Sequence, residues 1–205
     1  MEKIECLVFD LDGTLYSAEL QNDVKKHQRW AIAENLFLSR FNDREEGMMV
    51  LTQKCKENGL EQITDVGQKD ICKILDISPD DVWAVWDNLD FSHILFPNQA
   101  IIETFELLTP KYAIFLATNF TFNGSKKKLE ALGLESFFKD ENIFTQDQIG
   151  AKGVDFWNTV KTKIHVPDEL IMVIGDSVKK DIEPAQAAKL KTFHVQKVED
   201  ICSLK

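Results

Sequence analysis

Near its start the chain reads Val8-Phe9-Asp10-Leu11-Asp12-Gly13-Thr14-Leu15. An apolar run, Cys6-Leu7-Val8-Phe9, delivers two carboxylates two residues apart, then a glycine that lets the backbone turn sharply. Two carboxylates that close can share a divalent cation, with one free to attack and the other free to move a proton. The same string also suits a plain strand closed by an Asp-Gly turn, so the rest of the chain has to decide.

Two further apolar runs end in the same manner. Ala113 to Ala117 precedes Thr118-Asn119, and Leu170 to Ile174 precedes Gly175-Asp176. Runs of this length without alternation read as buried parallel strands. Helix-like stretches separate them, including Ser125 to Leu132 closed by Gly133, and Lys152 to Lys163 followed by Pro167. Thr192 to Val195 offers another strand and Val198 to Leu204 a final short helix. Strands alternating with helices predict an α/β fold with a parallel sheet. In such sheets ligands bind beyond the carboxyl ends of the strands, so Asp10, Asp12, Thr118, Asn119 and Asp176 are candidates for one shared site.

Ser17 to His93 differs, offering helical periodicity and no strand. Trp30, Ala33, Phe37 and Phe41 repeat at helical spacing, as do Val82, Val85, Trp86 and Leu89. Ser78-Pro79-Asp80-Asp81 opens the second of these with a capping serine and a proline at the first helical position. The predicted organisation is therefore a core of residues 1–16 and 94–205 with an all-helical insertion at 17–93. A length of 205 residues accommodates both.

Composition narrows the function classes. A net charge of −10 and a pI near 4.9 argue against a nucleic-acid polymer as partner, since sequence-independent binding needs a basic footprint. The four cysteines, Cys6, Cys55, Cys72 and Cys202, form no C-x-x-C pair and read as buried thiols of a reducing compartment. No stretch resembles a leader or a membrane span, starting with Met1-Glu2-Lys3-Ile4-Glu5, so the expected location is cytoplasmic and no membrane partner is expected.

The string around Asp10 resembles the first motif of the haloacid-dehalogenase-like hydrolase superfamily, whose phosphatases carry D-x-D-G-T after the first strand. Three further motifs match in the family's order. Ile114-Phe115-Leu116-Ala117-Thr118-Asn119 fits the second, Lys152 the third, and Ile174-Gly175-Asp176 through Asp181 the fourth. The family's lysine is usually followed by proline, whereas here Gly153 follows. The resemblance implies a Rossmann-like core with a helical cap inserted after the first strand.

The same resemblance implies a mechanism. Asp10 would be the nucleophile that forms an aspartyl phosphate, and Asp12 the general acid and base. Magnesium would be held by Asp10, the Asp12 backbone carbonyl and Asp176, with Asp181 orienting Lys152 or a metal-bound water. Thr118, the backbone N–H groups after it, Asn119 and Lys152 would bind the phosphoryl oxygens of a small phosphorylated metabolite. Asp12 favours phosphoryl transfer over dehalogenation. A sugar-phosphate mutase shares these motifs, and a non-catalytic binding protein shares the fold.

Within the cap, Lys56-Glu57-Asn58-Gly59-Leu60, Pro79-Asp80-Asp81 and Leu89-Asp90-Phe91 resemble in outline the pyrimidine 5′-nucleotidase-type members, which implies a nucleoside monophosphate. Trp30, Trp83, Trp86 and Trp157 are expected to pack in cores. The four histidines form no metal spacing, and Lys126-Lys127-Lys128 reads as one solvated helix face.

Overall fold

A computed structural model describes residues 4–205. Met1-Glu2-Lys3, read above as lacking a leader-like stretch, lies outside the described residues. Five strands form one parallel sheet: β1 (Cys6–Phe9), β2 (Ala113–Thr118), β3 (Ile143–Thr145), β4 (Ile171–Gly175) and β5 (Lys191–His194), in the order β3-β2-β1-β4-β5. The helices are α1 (Ala18–Ile32), α2 (Arg44–Glu57), α3 (Gln68–Leu75), α4 (Pro79–Asn88), α5 (Gln99–Leu108), α6 (Phe122–Ala131), α7 (Gln146–Ile149), α8 (Val154–Ile164) and α9 (Glu183–Ala187). Val198–Leu204 closes the chain as a 3₁₀ helix. β3 was not foreseen, because three residues between polar flanks carry too little periodicity to register.

The chain divides into two compact units. One comprises Met1–Gln21 and Phe91–Lys205, the other Asn22–Asp90. The first holds the sheet. Val8, Phe115, Phe144 and Val173 project to one face and bury against Phe156, Trp157, Val160 and Ile164 of α8. Phe9 takes the opposite face, its ring 4.9 Å from that of Phe105 in α5. Both faces are covered, which is why these strands are apolar without alternation.

Register sets the site. Phe9 lies level with Leu116 of β2 and Ile174 of β4, so Asp10, Thr118 and Asp176 all emerge at one end of the sheet. From β1 the chain builds outward through β2 and β3, then crosses to β4 and β5 on the other side. The direction reverses between β1 and β4, where a doubly wound sheet opens its binding crevice.

The second unit contains helices and no strand among its described residues. Ser78 caps α4 as its sequence predicted, accepting from Asp80 N–H at 3.2 Å, with Pro79 at the first position. The regular part of α1 ends at Ile32. The chain then widens into a π turn (Ala33–Phe37) and tightens into a 3₁₀ turn (Leu38–Arg40), leaving Phe41 extended. Trp30, in the regular part of α1, is exposed, against the expectation that it packs in a core. Trp86 and Trp157 are buried as expected.

Candidate active site

The loop after β1 is built around one close approach. Asp10 N–H continues the ladder to Ile174 O at 2.8 Å, and Leu15 N–H returns to Leu11 O at 3.0 Å, so the chain turns back as soon as it leaves the sheet. Gly13 makes that turn at φ +91°, and a Cβ there would sit 2.5 Å from Asp176 Oδ2. Only glycine satisfies both demands. The hydroxyl of Thr14, fully buried, donates to Asp10 Oδ2 and accepts from Asp176 N–H, each at 3.1 Å. One threonine thus ties the loop after β1 to the loop after β4.

Lys152 lies two residues ahead of α8, and its ammonium donates to both Asp10 and Asp181, the latter at 2.6 Å. Its backbone is held as well, since Lys152 N–H donates to Asn119 Oδ1 at 2.7 Å. Asp181 accepts Ser177 N–H at 3.1 Å through its other oxygen. Gly175 makes room for it, because a Cβ there would lie 2.5 Å from Asp181 Cβ. Burial would depress the Lys152 ammonium, but Asp10 and Asp181 outweigh it and hold its pKa above the usual lysine range.

Oxygens of Asp10, Asp176 and Asp181 lie within 4.8 Å of one another. Burial, opposed by Lys152 and reinforced by the charges of Asp181 and Asp12, pushes the Asp10 carboxyl up to about 7. Asp176 is raised too, by burial and by Asp181. Three carboxylates against one lysine leave an excess of negative charge, and a hard divalent cation with oxygen ligands would neutralise it. The donor set therefore fits such an ion. Asp12 O accepts from Gln21 Nε2 at 2.7 Å, and a carbonyl oxygen has a second lone pair with which it could also meet such an ion.

Asp12 stands apart from that cluster. Its Oδ1 accepts from the Tyr16 hydroxyl and from Lys128 Nζ at 2.6 Å. Burial works to raise its pKa, but the Lys128 charge and the two hydrogen bonds hold it below the usual carboxylate range. The two carboxylates of the D-x-D pair are thus pushed in opposite directions.

Lys128 corrects the reading of residues 126–128 as one solvated face. It is 0 % exposed, whereas Lys126 reaches Asp140 at 2.9 Å near the surface. Gly124, Ser125, Lys128 and Leu129 form the buried stripe of α6, and Gly124 leaves room for the Phe120 ring over which the Lys128 ammonium lies. Thr118, also 0 % exposed, has no hydrogen-bond partner for its hydroxyl among the described residues. His194 Nε2 donates to Asp176 O at 2.9 Å, and an open cavity of about 640 Å³ is lined by Gly13, Asp176, His194 and Lys197.

The sequence profile of the haloacid dehalogenase-like hydrolases matches residues 4–189. The chain belongs to this family. Among solved structures, a haloacid dehalogenase phosphatase from Thermococcus onnurineus is similar at 17% identity, with a TM-score of 0.59 over 94% of this chain and 86% of that one. A protein of Bacillus subtilis assigned as a hydrolase of the family, solved with bound magnesium, matches at 17% identity and a TM-score of 0.59, covering 98% of each chain. A protein of Thermotoga maritima assigned as a β-phosphoglucomutase matches at 21% identity and 0.59, again over 98% of each. At these identities the likeness carries the fold. No curated protein sequence matches this haloacid dehalogenase-like hydrolase. No helix among its described residues is long and apolar enough to cross a membrane.

Proposed function

We propose that this family member is a magnesium-dependent phosphatase that cleaves a small phosphate monoester through an aspartyl phosphate on Asp10. One observation carries the reading: Asp10 stands with Asp176, Asp181 and Lys152, where a cation and a phosphoryl group fit, while the Asp12 side chain stands apart, held by Lys128. A bound cation would hold Asp10 ionised for attack against the upward push of burial, while the Asp12 side chain, outside the acid cluster, is left to carry protons.

Asp10 attacks phosphorus, and the ester oxygen leaves with a proton from Asp12, which Asp12, ionised beside Lys128, takes up from solvent as the anionic phosphoryl group arrives next to it. Asp12 then takes a proton from the water that hydrolyses the aspartyl phosphate. Lys152 and the Thr118 hydroxyl, which has no partner among the described residues, donate to phosphoryl oxygens, where charge accumulates. Asn119 supports this indirectly by fixing the Lys152 backbone. Asp10, Asp176 and the Asp12 carbonyl would hold a divalent cation, whose charge would offset the repulsion between carboxylate and phosphoryl oxygens. Asp181 holds Lys152 beside it.

The helical unit is assigned the role of cap, discriminating among esters. Nucleoside monophosphates are placed first among substrates, on the resemblance at Lys56 to Leu60, Pro79 to Asp81 and Leu89 to Phe91. The four cysteines are free, and Cys6 and Cys55 are buried, in keeping with a cytoplasmic enzyme. Acid quench of a turning-over sample tests the chemistry: phosphoryl mass should appear on the peptide carrying Asp10 and be absent from Asp10→Asn. Label on another residue contradicts the assignment.

A further inference from the structure

Lys128 is an expensive residue to bury. Its stem and ammonium are wholly enclosed, and among the described residues the charge has one ion-pair partner, Asp12 Oδ1 at 2.6 Å, across 116 residues of sequence. The remaining surroundings are aromatic, with Nζ 3.8 Å from the centroid of Phe120 and 5.3 Å from that of Phe91. Ring faces offer a cation partial compensation without competing for the carboxylate. A paired charge of this kind contributes little stability over an apolar side chain of the same shape, so its presence points to a role for the geometry it imposes.

We propose that Lys128 is a positioning residue for the proton transfer to the leaving group. With Tyr16 it fastens Asp12 by Oδ1, while Oδ2 accepts no hydrogen bond among the described residues and is the oxygen presented to the ester. The inference rests on the phosphatase reading and adds to it a residue outside the matched motifs. Proton transfer by a positioned carboxyl matters where the departing oxygen is a poor leaving group and hardly at all where it is a good one.

The test compares kcat/KM for an alkyl phosphate and for p-nitrophenyl phosphate, since this ratio reports the steps through departure of the leaving group. Lys128→Met should lower it about 10- to 100-fold for the alkyl ester, a part of what general acid catalysis supplies, and less than about threefold for the aryl ester. Lys128→Arg should recover most of the loss. Tyr16→Phe, which retains the ammonium, should show the same ester-selective pattern at smaller size and serves if the methionine variant does not fold. Equal losses on both esters, in either variant, overturn the positioning role. Failure of the unaltered protein to hydrolyse either ester overturns the phosphatase reading instead, a result seen before any variant is made.

Discussion

Lys152 Nζ lies 2.6 Å from Asp181 Oδ1 while also donating to Asp10, so one buried ammonium joins the loop after β1 to the loop after β4. Replacing it by methionine removes a donor to the phosphoryl group and leaves two buried carboxylates facing each other. We expect Lys152→Met to lower kcat/KM by about 10² to 10³, the usual cost of one such donor. Steady-state kinetics check this, and a variant within a few-fold of wild type would remove Lys152 from the site.

Thr118 separates binding from stability. Its hydroxyl is buried without a partner among the described residues, so Thr118→Val breaks none of their hydrogen bonds and relieves a desolvated polar group. The melting temperature should hold or rise while kcat/KM falls at least about tenfold, one hydrogen bond to a charged group amounting to roughly 1.5–3 kcal/mol. A drop in both together would mean that the hydroxyl serves the fold.

The pH dependence of the metal-free protein follows from Asp10. Burial first, then the neighbouring acids against Lys152, raise its carboxyl from 3.8 to about 7. Between those values the folded state keeps a proton that the unfolded state has lost, so this contribution to stability is present at low pH and vanishes as pH rises through about 7. Asp176 is shifted in the same direction, while lowered Asp12 acts below its ordinary range and leaves this window alone. Thermal melts in chelator should therefore fall from pH 5 to pH 8, with a shallower slope in Asp10→Asn. Magnesium should raise the melting temperature more at pH 8 than at pH 5, because it binds deprotonated carboxylates. A magnesium shift independent of pH would place the ion elsewhere.

Gly13→Ala tests the close approach between the two loops. The new methyl meets Asp176 Oδ2 at 2.5 Å on a backbone with φ +91°. Strain of this kind costs about 1–3 kcal/mol, and relieving it displaces a carboxylate of the acid cluster. Melting temperature and magnesium affinity should both fall, as titration of each variant with the metal would show. Retained affinity would place Asp176 outside the ion's ligands.

How much of this was legible in the sequence depends on where the information lay. Asp10, Asp12, Thr118 and Asp176 could be grouped because each follows a short apolar run, and strand ends are local features. Lys152 came from motif order, and its double engagement with Asp10 and Asp181 had no local trace. Lys128 was misread because a run of three lysines resembles a wet helix face. Its burial depends on the aromatic rings of Phe91 and Phe120 and on the distant Asp12, which only tertiary structure assembles. The π turn at Ala33–Phe37 was hidden for a related reason, since it inserts one residue into an otherwise unbroken helical pattern.

The central claim is tested most directly by measuring phosphate release from a panel of nucleoside monophosphates, sugar phosphates including a hexose 1-phosphate, phosphoglycolate and an aryl phosphate. Each is assayed in magnesium and in chelator, for the unaltered protein and for Asp10→Asn. Release that requires both the metal and Asp10, greatest for a nucleoside monophosphate, is the predicted result. Release that persists in chelator or in Asp10→Asn, or conversion of the hexose 1-phosphate to an isomer with little free phosphate, would contradict it.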